Sequence, residues 1–484
     1  MSASGLHFQT AGYVLPASAG KPNLLAYPES PGPNSPGPTW PPNDDPKLDA
    51  LAKLEMEENF SSDDSELATS AGSKKVHDDA CADGFGPYLV RTCTEMFCNS
   101  RLNILLLCTP LCLLSDMLHW GKGATFCLAI LALIPWGERI SWVTEDWAKY
   151  TNETAGGLFL ASVGNLTEII FCLNALQGGL LRVVQVSMLG SVLSNLLLVL
   201  GCAFVVGGTR WDEQSFNKVA AVTNSGLLVV AVLALSLPSI LDATHTGTGE
   251  ADVAENITRA GLTAEGASYS LHLQGGGAPL WLSRFIATLL IILYCMLIYF
   301  QFVTHTHLFQ DADDEDEPGV LGFYGGMFWM TFITYFIWIL SDTVVDALVD
   351  ASTQLGVPVL FLSGIIMPIV GNAVEHASAV IFAMHNKMEI SLGVAVGSAV
   401  QISIFVIPLN VLLGSAMHEP MTLNFHIFET TVLLVTTMGV AFAVSDGKSH
   451  WLKGMTLIFA YLMIAAAFWA HSEPDLTQSV ASTG

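Results

Sequence analysis

Glu168 and Glu375 each stand inside a long apolar run, three residues after an asparagine and four after a glycine. A carboxylate at membrane depth is costly unless it faces a cavity or a partner, which makes each a candidate functional group. The polar residues around them repeat. Asn165 precedes Glu168, and Ser191 and Ser194 lie in the next apolar run; Asn372 precedes Glu375, and Ser398 and Gln401 lie in the run after it. Such a set can bind a hard cation, exchange protons, or serve as an acid and a base.

The two stretches are copies. A shift of 207 positions carries Gly164, Asn165 and Glu168 onto Gly371, Asn372 and Glu375, and without a gap carries Gly190-Ser191 onto Gly397-Ser398. Gly164 and Gly371, with Pro368 three residues before the second, weaken the helix there and free backbone carbonyls. Transporters use such breaks to coordinate ions near the bilayer midplane.

Two carboxylates plus the amide, hydroxyl and carbonyl oxygens of Asn165, Asn372, Ser191, Ser194, Ser398 and Gln401 form an oxygen-only set. That set suits Ca²⁺, which takes six to eight oxygens, with Mn²⁺ and Cd²⁺ as further candidates; no resident cofactor is implied. Two negative charges balance one divalent cation or two protons. Once the cation leaves, burial and mutual repulsion favour proton uptake, so the site holds the ion or protons but not both. His376 has Ile169 as its counterpart, which places it outside the symmetric set as a tuning or proton-carrying neighbour. An intramembrane enzyme would need a nucleophile or metal, and neither is duplicated. A membrane scaffold would leave the carboxylates unexplained.

The chain that must position these groups has 484 residues, 52% of them hydrophobic and 13% charged, against about 25% charged in soluble proteins. Its long apolar runs predict an all-α polytopic membrane protein. Spans are expected at 102–118, 124–142, 155–177, 183–206, 218–240, 280–303, 322–345, 357–384, 390–414, 427–445 and 452–471. These are eleven crossings: one leading helix, then five-helix repeats over 124–303 and 322–471. An odd number of spans per repeat forces the copies into opposite orientations, the inverted-repeat plan of secondary transporters.

Residues 1–85 are rich in Pro, Ser and acidic residues and read as a disordered tail. They show no basic segment leading into an apolar core, so no cleavable signal peptide is expected. The linker 304–321 carries Asp311, Asp313, Asp314, Glu315, Asp316 and Glu317, read as a solvated or cation-collecting regulatory run. It lacks the ligand spacing of an EF-hand loop. The Lys-bearing short loops favour a cytosolic N-terminus. That puts the loop 241–279, with its sequon at Asn256, in the lumen and leaves 472–484 as a lumenal C-terminal tail. A net charge of −25 excludes a nucleic-acid partner. The nine cysteines sit mostly in apolar runs without metal-site spacing and read as small buried hydrophobes.

The segments GNLTE, RVVQVSMLGSVLSNLLLVLGC, GNAVEHASAVIFAMHNK and SLGVAVGSAVQISIFVIP resemble the two repeats of the Ca²⁺/H⁺ antiporters of the cation/proton exchanger family, within the Ca²⁺/cation antiporter superfamily. The resemblance spans roughly residues 90–471. It implies eleven spans, a vacuolar or other acidic-compartment membrane, and Ca²⁺ import driven by outward proton flow. It further implies that Glu168 and Glu375 bind cation and proton and that an acidic segment occupies the position of 311–317. The long loop 241–279 and the long tail depart from the family pattern. A Na⁺- or K⁺-coupled Ca²⁺ exchanger of the same superfamily is the nearest alternative.

Overall fold

A segment crossing a bilayer must satisfy its own backbone hydrogen bonds, and the helix does this within a single run of residues. The computed structural model describes residues 85–98, 100–151, 162–245, 280–305 and 319–471, with three single positions between 156 and 160. The tail 1–84, Asn256 and most of its loop, the acidic run 311–317 and residues 472–484 lie outside the described residues.

In chain order the helices are α1 (Phe85–Cys98), a 3₁₀ turn (Arg101–Leu107) running into α2 (Cys108–Met117), and α3 (Lys122–Ala148). Then come α4 (Leu166–Gln177), α5 (Leu181–Arg210), α6 (Lys218–His245) and α7 (Leu280–Thr304). After the linker follow α8 (Phe323–Leu355), α9 (Val359–Gly371), α10 (Ala373–Met384), α11 (Met388–Met417), α12 (Ile427–Val444) and α13 (Trp451–Ala470). Among the described residues, eight of these are long and apolar enough to cross a membrane, ten if each of two bent pairs is one span. The bent pairs are the stretch around α1 and α2, and α9 with α10; α4 is a shorter apolar helix.

Three details differ from the sequence expectation. Helix α1 precedes the leading span and escapes a hydropathy scan because Arg91, Glu95 and two threonines dilute it. The span expected at 357–384 is two helices meeting at 51°. The span expected to end at 345 runs on to Leu355, where Gly356 closes it in the left-handed conformation.

The 207-residue shift also holds in the elements. It carries Leu166 and Gln177, the ends of α4, onto Ala373 and Met384, the ends of α10, and the ends of α5 onto those of α11. Both α5 and α11 contain a π turn, Ser194–Val199 and Ile402–Val406. In α11, Pro408 follows that turn and has no N–H for the carbonyl four residues back. In α9, Pro368 follows the π turn Leu362–Ile366 in the same way. Gly201 stands where Pro408 does, so the turn does not depend on proline.

Helix α5 is buried over 78% of its most apolar window, whereas α7 and α13 are buried over 22% of theirs. The centre of the bundle is therefore α5 with α11, buried over 61% of its window, and α7 and α13 lie at the periphery. Trp281, Tyr299, Tyr324, Trp451 and Trp469 lie exposed at helix ends, as interfacial aromatics do.

Helices α3 and α8 pack antiparallel along their lengths. Gln354 Oε1 accepts the Gly123 N–H at 2.8 Å near one end. At the other, the buried Asp146 carboxylate accepts the N–H groups of Val320 and Leu321 at 2.8 and 2.9 Å. Trp136 stacks on Phe336 between them, centroids 4.7 Å apart.

Candidate functional site

The break in each copy falls on its asparagine. Asn165 has φ −100° and ψ 24°, and Asn372 has φ −90° and ψ 18°, so both occupy the sparsely allowed bridge between helix and strand. Neither side chain caps its own helix. Both reach across to the other copy instead. Asn165 Nδ2 donates to Gln401 Oε1 at 2.9 Å, and Asn372 Nδ2 donates to the Ser191 carbonyl at 3.2 Å. A third bond of this kind joins Asn195 Nδ2 to Ser398 Oγ at 3.2 Å.

Glu168 and Glu375 occupy the first turns of α4 and α10, where unpaired N–H groups favour negative charge. Glu168 lies against the opposite break: a Cβ on Gly371 would sit 3.1 Å from Glu168 Oε1. A side chain there would press the carboxylate away by a few tenths of an ångström. Glu168 Oε1, Glu375 Oε2, Asn195 Oδ1 and Asn372 Oδ1 are buried without a hydrogen-bond partner in the structure. Four oxygens in that condition call for an occupant, and a water, a proton or a cation could each supply it. Among the described residues no three His, Cys, Asp or Glu side chains cluster as a metal site, so amides, hydroxyls and carbonyls must complete any coordination shell.

The two carboxylates open onto different spaces. Glu375 lines a cavity of about 250 Å³ together with Asn165, Gly164, Ser398 and Gln401. Glu168 lines a separate pocket of about 20 Å³ with Ser191 and Gly371, room for one water-sized occupant. Ser194 and Pro368 are buried and line neither. His376 also lines neither. Its Nδ1 donates to the Asn372 carbonyl at 2.7 Å, and that bond leaves Nε2 buried without a partner.

The cavity contains groups the sequence reading passed over. Ser141, Thr144 and Glu145 face it from α3 and Ser378 from α10. Ser141, Thr144 and Glu145 recur at helical spacing on one face, but Glu138, Arg139 and Asp146 in the same segment obscure the pattern. Asn195 leaves a weaker trace, because its counterpart is Ile402.

Residues 122–303 and 325–470, more than half of the chain, match the family described as sodium/calcium exchanger protein. This chain belongs to that family. Vacuolar cation/proton exchanger 3 of Oryza sativa subsp. japonica is 40% identical to the exchanger over 388 residues, covering 78% of this chain and 87% of that protein. Vacuolar cation/proton exchanger 2 of Arabidopsis thaliana is 39% identical over 391 residues, covering 78% and 83%. The solved structure of native YfkE is 30% identical and superposes with a TM-score of 0.61, covering 76% of this chain and all of that one. The exchanger is thus a secondary transporter in a membrane, not an enzyme.

Proposed function

We propose that this exchanger moves Ca²⁺ out of the cytosol in return for protons, across the membrane of a vacuole or similar acidic compartment. The observation that carries the reading is the pair Glu168 and Glu375. They occupy equivalent first turns at equivalent helix breaks, each with a buried carboxylate oxygen that no protein group satisfies. Support for cation and proton as cargo comes from relatives named vacuolar cation/proton exchangers and from YfkE, a Ca²⁺/H⁺ antiporter. Mn²⁺ and Cd²⁺ remain candidate cargo of the same site.

In this reading the chain crosses eleven times, with α4–α5 and α10–α11 at the hearts of two inverted repeats. The cavity at Glu375 is the open vestibule, and the small pocket at Glu168 is the occluded face. The vestibule lies on the side reached by the C-terminal half of α10 and by Glu145, near Lys149 and Lys387, and a cytosolic N-terminus makes that side cytosolic. Divalent cation entering there is neutralised by both carboxylates. Protons arriving from the acidic lumen displace it once the opposite face opens.

Calcium uptake into sealed vesicles tests this directly. Uptake should follow an imposed pH gradient with no alkali cation present. Uptake that needs Na⁺ or K⁺ and ignores the pH gradient would replace proton coupling with alkali-cation coupling.

The acidic run Asp311, Asp313, Asp314, Glu315, Asp316 and Glu317 has a modulating role in the same proposal. The residues that follow it are pinned by Asp146, the neighbour of cavity-lining Glu145. Neutralising Asp313, Asp314, Glu315 and Asp316 together should weaken apparent Ca²⁺ affinity a few-fold while exchange continues. Complete loss of transport in correctly folded protein would place the run within the exchange site itself.

A further inference from the structure

Helix α10 carries Glu375 in its first turn, and Ser378 and Phe382 one and two turns on, all three lining the open cavity. It is therefore one wall of that cavity. Its N-terminal end hangs on the break at Asn372. A 12-residue helix is about 18 Å long, so whatever holds its far end fixes its tilt and the width of the cavity.

The far end is held by the loop between α5 and α6. Gln214, only 2% exposed, donates from Nε2 to the Ala383 carbonyl at 2.9 Å and to Asn386 Oδ1 at 3.0 Å. Trp211 Nε1 adds a bond to the Met384 carbonyl at 3.3 Å. The loop is itself anchored. Its β1 (Gln214–Ser215) pairs antiparallel with β2 (Lys448–Ser449) from the α12–α13 loop, and Lys448 Nζ reaches Glu213 Oε1 at 2.6 Å.

The other copy does without this arrangement. Both helices end in the same turn: Lys387 N–H bonds the Phe382 carbonyl after α10, and Leu180 N–H bonds the Ala175 carbonyl after α4. The left-handed position within that turn is Asn386 (φ 62°) after α10 but Gly179 (φ 69°) after α4. The counterpart of Gln214 is Met421, which has no amide to donate. Asparagine tolerates the left-handed conformation less well than glycine. At 386 its side chain has a use that glycine could not serve.

We infer that Gln214 is a positioning residue for transport: by tying the end of α10 to the α5–α6 loop, it keeps the Glu375 cavity open. It touches neither cargo nor carboxylate. Losing the tie lowers the fraction of molecules open on this side, and apparent affinity falls in proportion to that fraction. The inference rests on the exchange reading above.

Two variants weaken the tie from opposite ends. Gln214→Met copies the residue of the other repeat and removes both bonds of the amide, whereas Asn386→Gly removes one of its two acceptors, leaves the Ala383 carbonyl and relaxes the turn, so it keeps the test open where Gln214→Met folds poorly. Each should raise the KM for Ca²⁺ on the cavity side about three- to tenfold, the worth of one or two hydrogen bonds, with the maximal rate retained. The double variant should do no more than the larger single. An impermeant thiol reagent applied from that side should modify Ser378→Cys more slowly, by a similar factor, in either variant background. Unchanged KM and unchanged modification rate in both variants would overturn the inference, as would a lower maximal rate at unchanged KM. The thiol measurement needs no transport, so it judges the tie even where wild-type vesicles show no proton-driven uptake, a result that would sink the exchange reading alone.

Discussion

Glu375→Gln should abolish the proposed proton-driven Ca²⁺ uptake, and so should Glu168→Gln, with both variants still reaching the membrane folded. Glutamine keeps the shape and one acceptor oxygen but neither ionises nor carries an exchangeable proton. A divalent ion would then meet one negative charge in a water-poor site. Removing one member of a buried charge set typically costs about 3–5 kcal/mol, which is a loss of about a hundredfold or more in affinity. Removing either carboxylate already breaks the balance, so the double variant should be no worse than a single. Glu389→Gln is the control, since Glu389 is exposed at the start of α11 and lines neither cavity. Uptake in reconstituted vesicles measures all four. Near wild-type uptake by either single variant would remove that carboxylate from the exchange site.

The second large effect is on stability. Arg182, at the start of α5, forms a two-pronged ion pair with Glu429 of α12, and Glu429 is 1% exposed. The same carboxylate closes a capping box with His426, and Arg182 also bonds Gln185 Oε1 at 3.3 Å. Arg182→Leu leaves an unpaired carboxylate among packed helices, a loss of about 3–5 kcal/mol. Glu429→Leu should cost less, because the freed guanidinium is partly accessible to water. Replacing both should recover much of the loss, since two apolar side chains leave no charge stranded. Thermal unfolding of the purified protein in detergent reads the series. Equal stability of Arg182→Leu and wild type would show that water reaches the pair.

Much of this molecule can be read without coordinates because its pattern is written twice. The G-N-x-x-E sequence, the shift of 207 and the Gly-Ser pair point to paired breaks, and the backbone bends at Asn165 and Asn372, one residue beyond the glycines singled out from sequence. Composition is equally direct about a helical membrane protein, because runs of about twenty apolar residues leave few other options. What stayed hidden depends on three-dimensional neighbours. Arg91 and Glu95 mask helix α1, and Glu145, beside Asp146 near a helix end, reads as part of an ordinary terminal charge cluster. That Glu168 and Glu375 face separate spaces cannot be read from a symmetric sequence. It is a property of the conformation described, and the exchange proposed above would require the same residues to support the opposite one as well. The Arg182–Glu429 pair is invisible in the sequence because its partners stand 247 positions apart with no local sign of the pairing.

The contacts between α3 and α8 have a mechanical consequence. A seam held at Gly123–Gln354, at Asp146 with Val320 and Leu321, and by the Trp136–Phe336 stack resists sliding, because a shift of one helical turn would break all three at once. Rotation of the joined pair as a unit breaks none of them. The two helices therefore form a single beam, each the first long helix of its copy. Any motion that exchanges one open face for the other has to pass through the joints between this beam and the α5–α11 centre, so those joints, rather than the seam, are where resistance to transport would be felt.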